Sequence, residues 1–316
     1  MLGKRIDPSE SLARIEDRTV PPDVVPKGKP RSTGDAKEES LTNVESFEPR
    51  SPHWKFCDII LPAGTQRDVD VLKSRIQNHT LLYEDWGLKA IDPRGLSVVV
   101  NFYGLPGTGK TMCADALAAE LGKKLIEVNY AEIESKYVGE TAKNISAAFR
   151  KARETDSALF FDEADSILGR RMTNVTQAAD HGVNVSRAVM LKQLDNFSGI
   201  VIFATNLAKN FDGAFVRRIL QHIEIPLPDM DGRMKLWLHM LSNLVPGRDQ
   251  LDWMSIAQSS DGMSGGEIKN AVIISLSEAA NRTGVDRIVK LEDLHRAIED
   301  VKRAKKDIGR YDYLNQ

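Results

Sequence analysis

Cysteine is scarce in this 316-residue chain: Cys57 and Cys113 are the only two, so no disulfide framework holds the fold and a reducing compartment is expected. Long apolar runs are missing as well. No stretch approaches the roughly 18 residues of a membrane-spanning helix. The first residues, Met1-Leu2-Gly3-Lys4-Arg5, lead into acidic and proline-rich sequence rather than an apolar core, so a secretory signal is not expected and the cytoplasm is. Charge of one sign is lacking too, with 43 Lys and Arg against 45 Asp and Glu. At a net −2 and a pI near 6.3, no global basic field draws the protein to nucleic acid or anionic lipid. What is present, 41% apolar and 28% charged residues, is the composition of a soluble globular protein of about two domains.

Residues 1–52 stand apart from the rest. They contain seven of the thirteen prolines and one aromatic, Phe47. Such a segment buries too little apolar surface to offset its ordering entropy, so a disordered tail or linker is expected there. From Trp54 onward, apolar β-branched runs alternate with helical patterns. Strands are expected at 98–103, 125–128, 158–161, 200–204 and 222–225, with helices at 112–121, 142–153 and 186–194 between them. This alternation implies a parallel sheet with helices on both faces, over residues 53–229. After Pro226-Leu227-Pro228-Asp229 strand signals cease. Helical periodicity at 234–241, 251–257, 264–280 and 291–304 predicts a small helical domain over 230–316. Ser264-Gly265-Gly266-Glu267 has capping-box spacing at the third of these helices.

Gly104-Leu105-Pro106-Gly107-Thr108-Gly109-Lys110-Thr111 fits G-x-x-x-x-G-K-[ST], between an expected strand and an expected helix. The glycines allow backbone N–H groups to turn inward around a polyphosphate, and the helix N-terminus adds a positive dipole. Lys110 is placed to reach the β and γ phosphates, and the Thr111 hydroxyl to ligate Mg²⁺. Downstream, Ala158-Leu159-Phe160-Phe161 reads as a buried strand that delivers Asp162 and Glu163 beside this loop. Asp162 is then the second Mg²⁺ ligand and Glu163 the base that orients and deprotonates an attacking water.

With both motifs present, the chain resembles an AAA+ ATPase of the AAA subgroup over about residues 54–305. Gly104–Thr111 matches that family's Walker A and Phe160–Asp165 its Walker B. The resemblance implies an α/β P-loop domain with a C-terminal helical lid, ATP and Mg²⁺ as cofactors, and a homohexameric ring. In this likeness Pro106, Gly107, Thr108 and Gly109 join Gly104, Lys110 and Thr111 in holding nucleotide. Phe203-Ala204-Thr205-Asn206 resembles the sensor-1 strand end, which gives Asn206 a contact with the γ-phosphate or the lytic water. Asp212–Arg218 with Pro226-Leu227-Pro228 resembles the second region of homology, making Arg217 and Arg218 arginine fingers for a neighbouring subunit. Ile219 replaces the family's usual Phe. The helix after Ser264 lacks the sensor-2 arginine of many clades, as in the AAA subgroup; Gly265 is expected near the adenine, with the linker Phe56–Pro62 closing the other side.

Ser135-Lys136-Tyr137-Val138-Gly139-Glu140 resembles a pore-1 loop, with Tyr137 gripping a polypeptide and Lys136 and Val138 flanking it. A second pore loop is expected within 170–185, where Asp180 and His181 read as solvated loop rather than metal ligands. No H-E-x-x-H occurs, which excludes a fused zinc protease of that type. The expectation is a ring ATPase that remodels, unfolds or disassembles a protein, its substrate selected directly or through an adaptor. A nucleic-acid loader or helicase-like motor, and an ATP-gated assembly switch, remain open. Neutral charge, the aromatic loop and the missing arginine favour the first, so nucleic acid is not an expected partner.

Overall fold

Five short strands are built largely of β-branched and aromatic residues, and that composition is what a sheet buried on both faces requires. The computed structural model describes residues 47–92, 97–130, 140–169, 178–206 and 211–314. Strands β1 (Val98–Tyr103), β2 (Leu125–Asn129), β3 (Ala158–Asp162), β4 (Ile200–Thr205) and β5 (Gln221–Glu224) form one sheet in the order β2-β3-β4-β1-β5. Every pairing is parallel. The register sets Tyr103 beside Thr205 and Glu224, and Asn129 beside Asp162, so these strands end together on one side of the sheet. Ligand sites of open parallel sheets form at such carboxyl ends.

Side chains of successive strand residues point to opposite faces, and the two faces build separate cores. On one, Phe161 and Phe203 stack at 5.5 Å, and Phe149 meets Phe197 edge-on at 5.2 Å. Helices α3 (Glu140–Thr155) and α5 (Ala178–Asp195) cover that face, supplying Phe149, Ala152, Met190 and Leu194. On the other face Phe102, Phe160 and Ile202 meet α1 (Ala63–Gln77) and α2 (Lys110–Glu120) through Val69, Leu72, Ala114 and Leu117. Two four-residue helices, α4 (Asp165–Leu168) and α6 (Gly213–Val216), follow β3 and precede β5.

Beyond β5 only helices occur among the described residues: α7 (Met230–Met240), α8 (Trp253–Ser259), α9 (Gly265–Ala280) and α10 (Leu291–Leu314). Their apolar stripes converge on a third core with Trp237, Ile256, Ile268, Leu294 and Ile298. Fully buried Trp237 satisfies its indole N–H on the Ser260 hydroxyl at 2.9 Å. Asp293 is buried and accepts two hydrogen bonds from the Arg282 guanidinium, tying α10 to the end of α9.

Three local expectations shift. Of the segment 1–52, residues 1–46 lie outside the described residues, but Phe47 is buried in the α3/α5 core and Arg50 bridges to Leu125 at the edge of β2. Arg50 also pairs with Asp115 and Glu127 at 2.7 Å each, a tertiary gain that local composition does not show. Helix α5 begins at Ala178, not near 186, so Asp180 and His181 are helical rather than loop; Gly182 does not break a helix anchored by its later apolar turns. Finally, α10 runs on to Leu314 rather than stopping at 304, past Asp307 and Gly309, whose low helix propensity argues for an earlier end.

Candidate functional site

The loop between β1 and α2 turns through three glycines with positive φ, at 152° for Gly104, 75° for Gly107 and 105° for Gly109. Two of them also have no room for a side chain. A Cβ on Gly104 would lie 2.2 Å from the Ile225 carbonyl oxygen, and one on Gly107 would lie 2.8 Å from Ser264 Oγ. The loop is thus pressed between the end of β5 and the start of α9. From α9 the Gly266 N–H donates to the Gly107 carbonyl at 3.0 Å, and Gly265 stands beside the same carbonyl.

Lys110 opens α2 and is 8% exposed. Its ammonium folds back into the loop, donating to the carbonyls of Gly104 at 2.9 Å and Leu105 at 3.0 Å. Burial pulls its pKa below the ordinary lysine value, opposed by the nearby carboxylates of Asp162 and Asp165. The Thr108 hydroxyl donates to Leu105 O at 2.9 Å, which ties the turn to itself. The cradle therefore holds a cation ready among carbonyls that bind it only as neutral acceptors, and a polyphosphate offers it stronger, charged ones.

Next to it, Thr111 Oγ1 donates to Asp162 Oδ2 at 3.1 Å. The other oxygen, Asp162 Oδ1, accepts the Glu163 N–H at 2.8 Å. A hydroxyl and a carboxylate meeting at the mouth of a phosphate loop are hard oxygen donors, the set that suits Mg²⁺ while leaving room for its waters. Glu163 is exposed, with φ at 52°, an uncommon conformation for a side chain with a Cβ. That turn directs the chain from β3 into α4 and leaves the carboxylate unburied at the strand end.

Asn206, also exposed, lies one residue past β4, and its N–H donates to Asp165 Oδ1 at 3.0 Å. The Ala164 N–H donates to Ala204 O at 3.1 Å. These two bonds clamp the end of β3 to the end of β4, so Asp162, Glu163 and Asn206 occupy one rim. Asp165 closes the Phe160–Asp165 segment matched to the Walker B, but had no assigned role of its own in the sequence.

The two arginines differ. Arg218 Nε and Nη2 hold both oxygens of Asp195 at 2.9 and 2.8 Å, and Nη1 donates to Ala214 O at 2.9 Å. Its pKa is raised, first by the hydrogen bond to Asp195 and against the cost of burial. Arg217 is exposed and forms no ion pair or side-chain hydrogen bond within the described residues. Both border a recess of about 200 Å³ with Arg75, Asp92 and Leu220. The linker residues Phe56, Ile59 and Leu61 pack against the α1/α2 core, with Lys73 Nζ 5.4 Å above the Phe56 ring. Lys136, Tyr137 and Val138 lie outside the described residues.

A family model described as "ATPase family associated with various cellular activities (AAA)" matches residues 100–227, the span from β1 to the proline-rich end of β5. The chain is 35% identical over 234 residues to 26S proteasome regulatory subunit 10B of Dictyostelium discoideum, covering 72% of this chain and 57% of that one. It is 40% identical over 183 residues to katanin p60 ATPase-containing subunit A1 of Strongylocentrotus purpuratus, covering 54% and 35%. With the proteasome-activating nucleotidase of Aeropyrum pernix it shares 35% over 212 residues, covering 65% and 51%. The chain thus spans between about a third and just over half the length of these relatives.

Proposed function

Because this chain belongs to the AAA+ ATPase superfamily, we propose that it is a Mg²⁺-dependent ATPase whose cycle remodels a protein substrate. The observation that carries this is the meeting of Lys110, Thr111, Asp162 and Glu163 at the carboxyl ends of β1 and β3. The backbone of Gly104–Gly109 cradles the phosphates, and Lys110 exchanges its carbonyl partners for phosphate oxygens. Thr111 and Asp162 would hold Mg²⁺, which would supply charge neutralisation at the phosphates. Glu163 accepts a proton from the water that attacks the γ-phosphorus. As the new P–O bond forms, the bond to the β-phosphate oxygen breaks and ADP leaves with the electron pair. Asn206 orients that water from the end of β4.

A cation supplied by a neighbouring subunit would complete the charge stabilisation, and Arg217 suits that part because its exposed guanidinium has no partner among the described residues. Arg218 serves the turn instead, by holding Asp195. We place Tyr137 at the pore of a homohexamer, gripping polypeptide with Lys136 and Val138, with the substrate brought directly or by an adaptor. The relatives named for the proteasome and the net charge of −2 support a protein rather than nucleic acid as the substrate. A cytoplasmic location accords with the two free cysteines, and no helix among the described residues is long and apolar enough to cross a membrane.

The test is phosphate release from ATP with and without Mg²⁺. Lys110→Ala is expected to lose nucleotide binding. Glu163→Gln is expected to bind ATP, fail to turn over, and retain its protein partner in a pull-down. Turnover by Lys110→Ala at the wild-type rate would refute the site.

A further inference from the structure

The N-terminus of α9 is joined to two things at once: the phosphate loop on one side and α10 on the other. Toward the loop, the Gly266 N–H, one of the first-turn donors that a helix cannot satisfy internally, is capped by Gly107 O at 3.0 Å. Ser264, 3% exposed, fills the space that a side chain on Gly107 would need. Toward α10, the Glu267 carboxylate is divided between two donors. Its Oε2 accepts the Ser264 N–H at 2.7 Å, completing the reciprocal bond from the Glu267 N–H to Ser264 Oγ at 3.3 Å. Its Oε1 accepts Lys305 Nζ of α10 at 2.9 Å.

A capping box needs its glutamate folded back over the first turn, a rotamer that a free, half-exposed glutamate holds only part of the time. Lys305 fixes it from the far side. The strength of that hold appears in the carboxylate itself: burial alone would raise its pKa, yet hydrogen bonds from Lys305 and the Ser264 backbone keep it below the ordinary value.

We propose that Lys305 is a positioning residue for the phosphate loop, acting through Glu267 and the capped first turn of α9 on Gly107. The lysine touches neither the loop nor the Asp162–Glu163 rim. Its influence falls on how firmly the loop is seated, which affects nucleotide in the ground state and in the transition state alike. Loss of Lys305 therefore weakens nucleotide affinity and raises KM for ATP, while kcat at saturating ATP stays level. The effect on nucleotide rests on the ATPase proposal; the mechanical link from α10 to the loop does not.

The experiment reads both. Hydrogen exchange is followed by mass spectrometry on the full chain without nucleotide, in peptides covering 104–111 and 264–268. Lys305→Ala is expected to speed exchange in both by about two- to five-fold, the scale of one half-exposed ion pair. Lys305→Arg is expected to restore the wild-type rates, and Lys306→Ala, one exposed residue further on, to leave them unchanged. Affinity for a fluorescent ADP analogue falls by a similar factor in Lys305→Ala, and the difference narrows at high salt. Unchanged exchange in 104–111 for Lys305→Ala, or no rescue by Lys305→Arg, overturns the proposal. Faster exchange in a protein that binds no ADP upholds the link and refutes the ATPase instead.

Discussion

Arg217 and Arg218 adjoin in sequence, and their variants are expected to fail in different ways. Arg218 grips Asp195 with two charge-assisted hydrogen bonds, the two side chains being 30% and 28% exposed. That lies between an exposed pair, worth about 0–1 kcal/mol, and a buried one whose breakage costs about 3–5 kcal/mol. Solvent screening at this exposure sets the expected cost of Arg218→Ala at about 1–2 kcal/mol. For a folded unit of this size the melting temperature then drops by about 3–6 °C. Arg217→Ala removes an exposed side chain and is expected to leave the melting temperature unchanged, while turnover falls by roughly 10³-fold or more if the proposed role in a neighbouring site holds, the loss typical of arginine fingers. Differential scanning fluorimetry and phosphate release separate the two. Mixing adds a third measure: Arg217→Ala subunits have intact phosphate loops, and Lys110→Ala subunits have intact arginines. A mixture is expected to recover turnover that neither has alone. If Arg217→Ala melted as low as Arg218→Ala, or the mixture stayed inactive, the division of labour drawn from this geometry would be wrong.

Other outcomes follow from the same contacts. Gly107→Ala combines left-handed strain with a Cβ 2.8 Å from Ser264 Oγ, whereas Gly109→Ala meets nothing within 4 Å; the first is expected to lower the melting temperature more, and equal losses would contradict the close approach. Tyr137→Ala is expected to leave ATP binding and basal turnover within a few-fold while abolishing unfolding of any partner recovered with Glu163→Gln, since one aromatic anchor commonly carries about 2 kcal/mol. Retained unfolding would exclude threading. Asp293 is held below the usual carboxylate range first by Arg282, then by the Lys290 N–H, against the cost of burial. A depressed folded pKa stabilises above the unfolded value and that stability is lost as pH falls through the folded one. Asp293→Asn is therefore expected to melt lower than the parent at neutral pH, with the gap closing once pH drops below about 4. A gap of constant size down to pH 3 would sink this assignment.

What the sequence disclosed was local. Val98–Tyr103 and Ala158–Phe161 announce strands by short β-branched and aromatic runs, and the phosphate motif and the Asp162-Glu163 pair follow each at once, so loop and rim were legible together. Contacts that close over long separations were not. Phe47 is a lone aromatic in a polar, proline-rich stretch, and nothing near it signals a seat in the core that Phe149 helps build. Asp165 is one more acidic residue after a strand until the Asn206 N–H is found on it. Ser264-Gly265-Gly266-Glu267 declared a helix start, but not that the phosphate loop would cap it. Arg217 and Arg218 could not be told apart, because the partner that distinguishes them, Asp195, sits in another helix.

The order of the strands bears on how the protein comes into being. β2 and β3 find each other soon after synthesis, but β1 lies between β4 and β5, whose residues follow roughly a hundred positions later. At about 5–20 residues per second, Val98–Phe102 leaves the ribosome many seconds before either neighbour exists. Throughout that interval an apolar, β-branched ribbon offers both of its edges to whatever strand is at hand, the situation in which chains aggregate. Nucleotide cannot rescue it by mass action, since a ligand stabilises only a site that has formed, and the Gly104 turn rests on Ile225. The strand that later carries the phosphate loop is thus the one left longest open to mispairing while the chain is made.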